Sequence, residues 1–311
     1  MVLLAADGVA IEAVYEPADF DADVTRDAAG RVPVTVVAHG FTGSVGRPHV
    51  RRAAAVFRRY GAVITFSFRG HGASGGRSTV GDREVLDLAA AVAWARRLGH
   101  RTVWTVGFSM GGSVVLRHAA LYPAGASDGH GSAHDDVHGS GHDDAHGPAH
   151  TDAVVAVSAP ARWYYRGTAA MRRLHWVVTR PLGRAVGRYG LRTRIHTSDW
   201  DPVPLDPAEA AARIAPTPLL LVHGDRDPYF PLDHPRALAT AALPRRPLAR
   251  TRHGPRRERG RRGPTGPNRR MGGPAGAGRV REPGVPLGTP ACGRVRPQTP
   301  DGLSVLKRRT G

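Results

Sequence analysis

One serine of this chain has the sequence context of an activated nucleophile. Residues 107–111 read GFSMG, which fits the pattern G-x-S-x-G with Ser109 at its centre. The apolar run at 102–106 favours a buried strand before this serine, and residues 112–121 favour a helix after it. The strained turn needs glycines because its neighbours leave no room for a Cβ. Glycine and serine are common wherever a strand turns into a helix, but this context favours a serine Oγ that attacks an electrophile.

A serine hydroxyl needs three kinds of partner before it acts as a nucleophile at neutral pH. A histidine must take its proton, and a carboxylate must hold the histidine tautomer and stabilise the imidazolium. Preorganised donors must stabilise the oxyanion that develops on the substrate, and one such donor is worth roughly 3–4 kcal/mol. Other elements of the fold have to position these partners.

The rest of the chain has the pattern of a sheet whose strands are separated by helices. The first 16 residues alternate about a turn at Asp7-Gly8, as a β-hairpin does. Further strands are predicted at 34–38, 62–68, 153–157 and 219–222, and helices at 51–60 and 82–98. Short apolar strands that alternate with helices indicate a parallel sheet covered on both faces. We therefore predict an α/β fold with a mostly parallel, doubly wound sheet.

Residues 160–215 interrupt this pattern. Five aromatic residues lie there among basic ones: Trp163, Tyr164, Tyr165, Trp176 and Trp200. Because the segment falls between two predicted strands, we predict a small helical cap over the strand ends. Aromatic side chains interleaved with arginine can also bind nucleic acid, but packing onto the sheet and lining a pocket is the favoured interpretation.

Residues 124–152 contain a threefold octapeptide that begins at His130, His138 and His146. Its histidines recur every four residues, so on a helix they would share a face and could hold Zn²⁺ or Ni²⁺. Glycine and proline in the repeats argue against a helix. We predict a disordered loop that binds divalent metal weakly and adventitiously, and no catalytic metal.

The charge of the chain is concentrated in its C-terminal part. Of a net charge of +18, residues 245–311 carry 18 Arg and Lys against 3 Asp and Glu. The same segment has 13 Gly, 10 Pro and no Phe, Trp or Tyr, so it cannot bury enough apolar surface to offset chain entropy. We predict a globular domain over 1–244 and a disordered basic tail. Such a tail could bind nucleic acid or anionic lipid by charge alone, whereas the charge of the body does not argue for nucleic acid, and we expect no specific nucleic-acid partner.

Cysteine usage and the N-terminus bear on compartment. Cys292 is the single cysteine of the sequence, so an intrachain disulfide is excluded. Residues 1–7 have no basic start and too short an apolar run for a signal peptide, and no stretch is long enough to span a membrane. These features predict a cytoplasmic protein.

Four motifs in order give the chain a family resemblance. The sequences HGF at 39–41, RGHGAS at 69–74, GFSMG at 107–111 and HGDRDPYFP at 223–231 resemble the α/β-hydrolase superfamily. The second motif is similar to the loop of the lysophospholipase-like and serine-aminopeptidase-like branch. The resemblance covers roughly residues 1–244.

The resemblance implies a role for several residues. Ser109 would be the nucleophile, and the backbone amides of Phe41 and Met110 would hold the oxyanion. Asp227 falls at the position of the catalytic acid, while Asp225, two residues earlier, reads as a turn-capping aspartate. Three further histidines in the motifs, His39, His71 and His223, are expected to hold loops by hydrogen bonds.

The catalytic histidine of this family follows one further strand, some two dozen residues after the acid. The nearest candidate here is His253, which lies in the arginine-rich tail with no apolar strand before it. A set of codons can be chosen for residues 252–259 that, translated one base out of frame, gives Gly-Met-Gly-His-Ala-Glu-Ser. This peptide resembles the family segment around that histidine. We therefore hypothesise that the tail is a frameshift product, which the nucleotide sequence near codon 245 would test.

Together these inferences predict a serine hydrolase. It would cleave a small ester, thioester or amide substrate through an acyl-enzyme on Ser109, without a cofactor. Two alternatives stay open: a non-catalytic protein of the same fold that lacks a proper triad histidine, and a nucleic-acid binder that works through its basic tail.

Overall fold

The computed structural model describes residues 1–19, 26, 30–124 and 149–243, together with the backbone of 303–307. Residues 125–148, which hold the first two octapeptides and the start of the third, lie outside the described residues, and so do the metal-binding and disorder predictions made for them. The same holds for the tail apart from the backbone of Leu303–Lys307. Residues 149–152, the end of the predicted loop, are described.

The centre of the molecule is an eight-stranded sheet with the strand order β1-β2-β4-β3-β5-β6-β7-β8. The strands are β1 (Val2–Leu4), β2 (Ala10–Glu16), β3 (Val34–Ala38), β4 (Ala62–Phe66), β5 (Val103–Phe108), β6 (Ala153–Val157), β7 (Leu219–Gly224) and β8 (Leu303–Lys307). The five strands from β4 to β7 in this order are mutually parallel, and the hairpin β1–β2 and strand β8 run antiparallel at the two edges. The α/β class with a mostly parallel sheet is therefore confirmed.

Seven helices accompany the described strands. They are α1 (Pro48–Phe57), α2 (Glu84–Arg97), α3 (Met110–Leu121), α4 (Ala169–Thr179), α5 (Pro181–Tyr189), α6 (Pro207–Ala211) and α7 (Asp233–Ala241). Three of them start on proline, which has no amide hydrogen to leave unpaired in a first turn. Helix α2 has acidic residues in its first turn and arginines in its last, as the helix dipole favours.

Side chains from the central strands bury apolar surface on both faces of the sheet. Every residue of β3 and β4 is buried. Val36 belongs to the larger core, with residues of α2 and α3. Its neighbour Val37 packs in a smaller cluster with Ala54 of α1. Successive residues of a strand point to opposite faces, so helices cover the sheet on both sides, as the uninterrupted apolar strands predicted.

The elements fall close to their predicted positions. The strand predicted at 62–68 ends at Phe66, because that is where its pairing with β2 ends. The helix predicted at 51–60 starts earlier, at Pro48. Among the described residues, no helix is both long and apolar enough to cross a membrane.

Candidate active site

Ser109 lies on a sharp turn between β5 and α3. Its φ of 52° and ψ of −114° place it in backbone space that non-glycine residues rarely occupy. Hydrogen bonds fix the turn: the Ser109 amide donates to the Val157 carbonyl at 2.9 Å, and the Gly112 amide donates back to the Ser109 carbonyl at 2.9 Å. The strand, turn and helix predicted around this serine are present.

The small residues around Ser109 are required by close backbone contacts. A Cβ on Gly107 would collide with the carbonyl of Gly111, and a Cβ on Gly111 would collide with the carbonyl of Ala38. A Cβ on Gly40 would lie 3.3 Å from Ser109 Cβ. The loop after β3 therefore packs directly against the serine.

The two residues expected to hold the oxyanion come from different segments: Met110 directly follows the serine, and Phe41 lies in the loop after β3. Met110 is the first residue of α3, where the amide has no acceptor within the helix. Phe41 follows Gly40, and its loop is closed by a 2.9 Å hydrogen bond from the Gly43 amide to the Gly40 carbonyl. Both residues line the same cavity as Ser109.

Two buried histidines hold this loop. His39 Nδ1 lies 2.7 Å from the Gly40 carbonyl, and its Nε2 accepts a hydrogen bond from the Phe68 amide at 3.0 Å. A carbonyl only accepts and an amide N–H only donates, so the hydrogen is on Nδ1 and the ring is neutral. Burial, reinforced by His71, lowers the pKa of His39 to about 3.

His71 is arranged in the same way. Its Nδ1 donates to the Arg69 carbonyl at 3.0 Å, and its Nε2 accepts from the Thr42 amide at 3.3 Å. Burial lowers the pKa of His71 as well. Since both nitrogens of His39 and of His71 are occupied by backbone groups, these histidines position loops, as the sequence suggested.

The two candidate acids differ in their surroundings. Asp227 has a side chain that is only 10 % exposed, and its Oδ1 accepts hydrogen bonds from the amides of Tyr229 at 2.8 Å and Phe230 at 3.0 Å. Its Oδ2 lies 4.0 Å from His223 Nε2, a nitrogen that donates to the Phe230 carbonyl at 2.7 Å. Asp225 is exposed. Of the two, only Asp227 is a largely buried carboxylate in a fixed orientation.

The sheet brings the candidate groups to one edge. Phe41, Ser109 and Asp227 follow β3, β5 and β7, which run parallel, so all three come after the carboxyl ends of their strands. That edge is where open α/β sheets bind ligands. Phe230 donates its amide hydrogen to Asp227 and lines the same cavity as Ser109.

In the described part of the chain, no histidine is hydrogen-bonded to Ser109 Oγ. The candidate base His253 lies outside the described residues. His175 and His196 also line the cavity, although neither was expected there from the sequence. His175 donates from Nε2 to the Tyr165 carbonyl at 3.0 Å, and burial together with Arg166 lowers its pKa.

His175 could have been found from its spacing along α4. Helical residues three, four and seven apart share a face. Met171, Leu174, His175 and Val178 follow that spacing and all line the cavity.

The cavity above Ser109 has a volume of about 200 Å³. Most of the aromatic residues singled out in the sequence line it: Trp163, Tyr164, Tyr165 and Trp200. Trp163 and Trp200 meet edge to face at 5.1 Å, and Trp200 Nε1 donates to the Thr79 carbonyl at 2.7 Å. These aromatics therefore form a wall of the cavity, in agreement with the favoured interpretation of the segment.

A buried carboxylate holds the loop at 78–81, part of which also lines the cavity. Glu84 accepts hydrogen bonds from the Ser78 hydroxyl at 2.8 Å, the Thr79 amide at 2.9 Å and the Gly81 amide at 2.9 Å. This cluster fixes the loop that Trp200 contacts. Within the described ranges, no group of three or more His, Cys, Asp or Glu side chains is placed to hold a metal ion.

Comparison with known proteins identifies the architecture. Residues 33–127 match the family model described as alpha/beta hydrolase fold. The structure of Pyrococcus furiosus esterase Pf2001 aligns with a TM-score of 0.51 and 22% identity over 78% of this chain and 76% of that chain. Est1E from Butyrivibrio proteoclasticus, solved with bound ferulic acid, aligns with a TM-score of 0.45 and 18% identity over 78% of this chain and 85% of that one. No curated protein sequence matches the chain. The chain has the α/β-hydrolase fold.

Proposed function

We propose that this chain of α/β-hydrolase fold is a serine hydrolase that cleaves a small ester, thioester or amide. The observation that carries the proposal is Ser109, held at a φ of 52° between β5 and α3 at the floor of a cavity with aromatic walls. One fold hosts many chemistries, so the proposed function rests on this site rather than on the architecture.

In the proposed reaction, Ser109 Oγ attacks the acyl carbon and a histidine takes its proton. The amides of Phe41 and Met110 stabilise the oxyanion, whose collapse expels the leaving group with the proton from the histidine. Water then attacks the acyl-enzyme, and the same proton path returns the free Ser109. Asp227 would hold the histidine tautomer through its Oδ2.

The identity of the histidine is part of the proposal. The sequence offers His253, and the frameshift hypothesis places the family's histidine in another reading frame. The likeness to the lysophospholipase-like branch and the cytoplasmic location also stay predictions.

A second candidate function is a non-catalytic protein of the same fold. It is favoured by one observation: in the described ranges, Ser109 Oγ has no hydrogen-bonded histidine. Removal of one triad member leaves only the catalysis of substrate binding and the oxyanion hole.

Turnover of a p-nitrophenyl ester separates the two functions. We expect Ser109→Ala to abolish turnover and to prevent labelling by a fluorophosphonate probe. Thr240→Ala removes an exposed hydroxyl from α7 and serves as the control, which should retain both turnover and labelling. Equal rates for the parent chain and Ser109→Ala would exclude serine catalysis and favour the non-catalytic protein.

A further inference from the structure

Helices α4 and α5 expose large apolar side chains that have no cover in the described structure. They are Trp176 (44 % exposed), Leu182 (68 %), Val186 (45 %) and Tyr189 (79 %). We call these four residues the hairpin face. Singly exposed apolar residues are ordinary, but a group on two adjoining helices marks an interaction surface.

The spacing of the hairpin face gives it a direction. Leu182, Val186 and Tyr189 lie four and three residues apart, so they share one side of α5. Gly183 and Gly187 are buried, and a Cβ on Gly183 would collide with the carbonyl of Trp176. Helix α5 therefore packs closely on α4 through its glycines and turns its apolar side chains to solvent.

One side of helix α4 faces the cavity and another faces solvent. Met171, Leu174 and Val178 line the cavity above Ser109. Trp176 is exposed, as are Arg172 and Arg173, which lie four and three residues before it on the solvent side. A surface bound to the hairpin face is thus separated from the cavity by a single helix.

The charge around the hairpin face has one sign. Residues 160–198 contain nine arginines and no aspartate or glutamate. Arg162 pairs with Asp233 at 2.8 Å. Within the described ranges, none of the other eight arginines forms a salt bridge. Their charge is available to an anionic partner, and Arg173 and Arg188 are both exposed.

We propose that the hairpin face docks on the surface of an anionic lipid bilayer. Exposed tryptophan, tyrosine and leucine bury themselves at the boundary of headgroups and acyl chains, and flanking arginines bind lipid phosphates. A nucleic acid would use the arginines and the aromatic rings but would leave Leu182 and Val186 exposed to water. The aliphatic side chains therefore favour a bilayer. This docking is independent of the chemistry at Ser109.

Co-sedimentation of the full chain with vesicles tests the proposal. Vesicles of phosphatidylcholine with phosphatidylglycerol as about a third of the lipid should bind the chain, and phosphatidylcholine alone should bind it weakly. Leu182→Glu with Tyr189→Glu should weaken binding about tenfold or more, since it removes two apolar side chains that the proposal buries in the bilayer. The matched control is Val56→Glu with Tyr60→Glu, whose parent side chains are 56 % and 55 % exposed on another face. It should bind like the parent chain.

A second variant separates this surface from the basic tail. Arg173→Glu with Arg188→Glu should also weaken vesicle binding, and Ser109→Ala should leave it unchanged. If neither double variant changed vesicle binding and high salt abolished it, the binding would belong to the basic residues 245–311. That result would overturn the proposal. Binding of single-stranded DNA that is lost in the arginine variant, with vesicle binding intact, would overturn it in favour of nucleic acid.

Discussion

Ser109 holds a conformation that costs free energy, of the order of 1–3 kcal/mol for a non-glycine residue in this region. The cost is tolerated because surrounding contacts leave the residue no alternative. Its amide is bonded to Val157 of the next strand, and Gly40 packs against its Cβ. Such backbone persists where the surroundings over-determine it, which is why strain at this residue supports a functional role.

At the same scale, the two aspartates near the site make a matched pair. Asp227→Asn should lower kcat for a p-nitrophenyl ester by about a hundredfold or more, because an amide cannot hold the histidine tautomer or stabilise the imidazolium. Asp225→Asn should leave kcat unchanged, since Asp225 is exposed. Circular dichroism would check that both variants fold.

The opposite result would reassign the acid. If Asp225→Asn were the damaging change, the carboxylate that orients the base would be Asp225. If neither changed kcat, hydrolysis by this chain would not depend on a carboxylate in this loop.

At the scale of elements, the turn after β5 works only because its residues have no side chains to collide. Gly107→Ala should lower the free energy of unfolding by about 3 kcal/mol or more, since the added Cβ meets the rigid carbonyl of Gly111. Gly46→Ala is the control, because a Cβ there has nothing within 4 Å, and it should change stability by less than about 0.5 kcal/mol. Urea titration followed by fluorescence measures both, and equal stability of the two variants would contradict the packing described for the turn.

The elements of the sheet were predictable, while the pairing of helices over the cavity was not. Runs of β-branched residues, such as 34–38, indicate buried strands by composition alone. Helix α5 contains two glycines, which lower helix propensity, and forms because those glycines allow it to lie close to α4. Tertiary packing of this kind leaves no signal in local periodicity.

At the scale of the whole molecule, one buried arginine joins three separate parts of the chain. Arg69 follows β4, and its guanidinium bonds Asp87 of α2 at 2.7 Å and Asp7 of the β1–β2 turn at 2.6 Å. Asp87 is fully buried, and burial raises its pKa to about 7 although Arg69 opposes that rise. The edge hairpin and a covering helix are thus tied to the loop that carries His71.

Arg69→Met should destabilise the fold by about 3–5 kcal/mol, because it leaves Asp87 buried without its partner. Arg58→Met is the matched control: Arg58 pairs with Asp19 at 2.6 Å, but both side chains are more than 30 % exposed. Its loss should cost less than about 1 kcal/mol. Chemical denaturation compares the two, and similar losses would show that Arg69 does not act as a buried ion pair.

The sequence by itself determined the features that depend only on short stretches of chain. The alternation of apolar strands and helices gave the α/β class, and glycines at fixed spacing around Ser109 gave the strained turn, because periodicity and backbone freedom are local properties. Proximity is not local. That Phe41, Ser109 and Trp163 share one cavity, that Asp227 rather than Asp225 is held by backbone amides, and that His39 is a neutral loop anchor were decided by the tertiary structure. The order of strands in the sheet brings these distant segments together, and burial then selects the hydrogen-bonding state of each group.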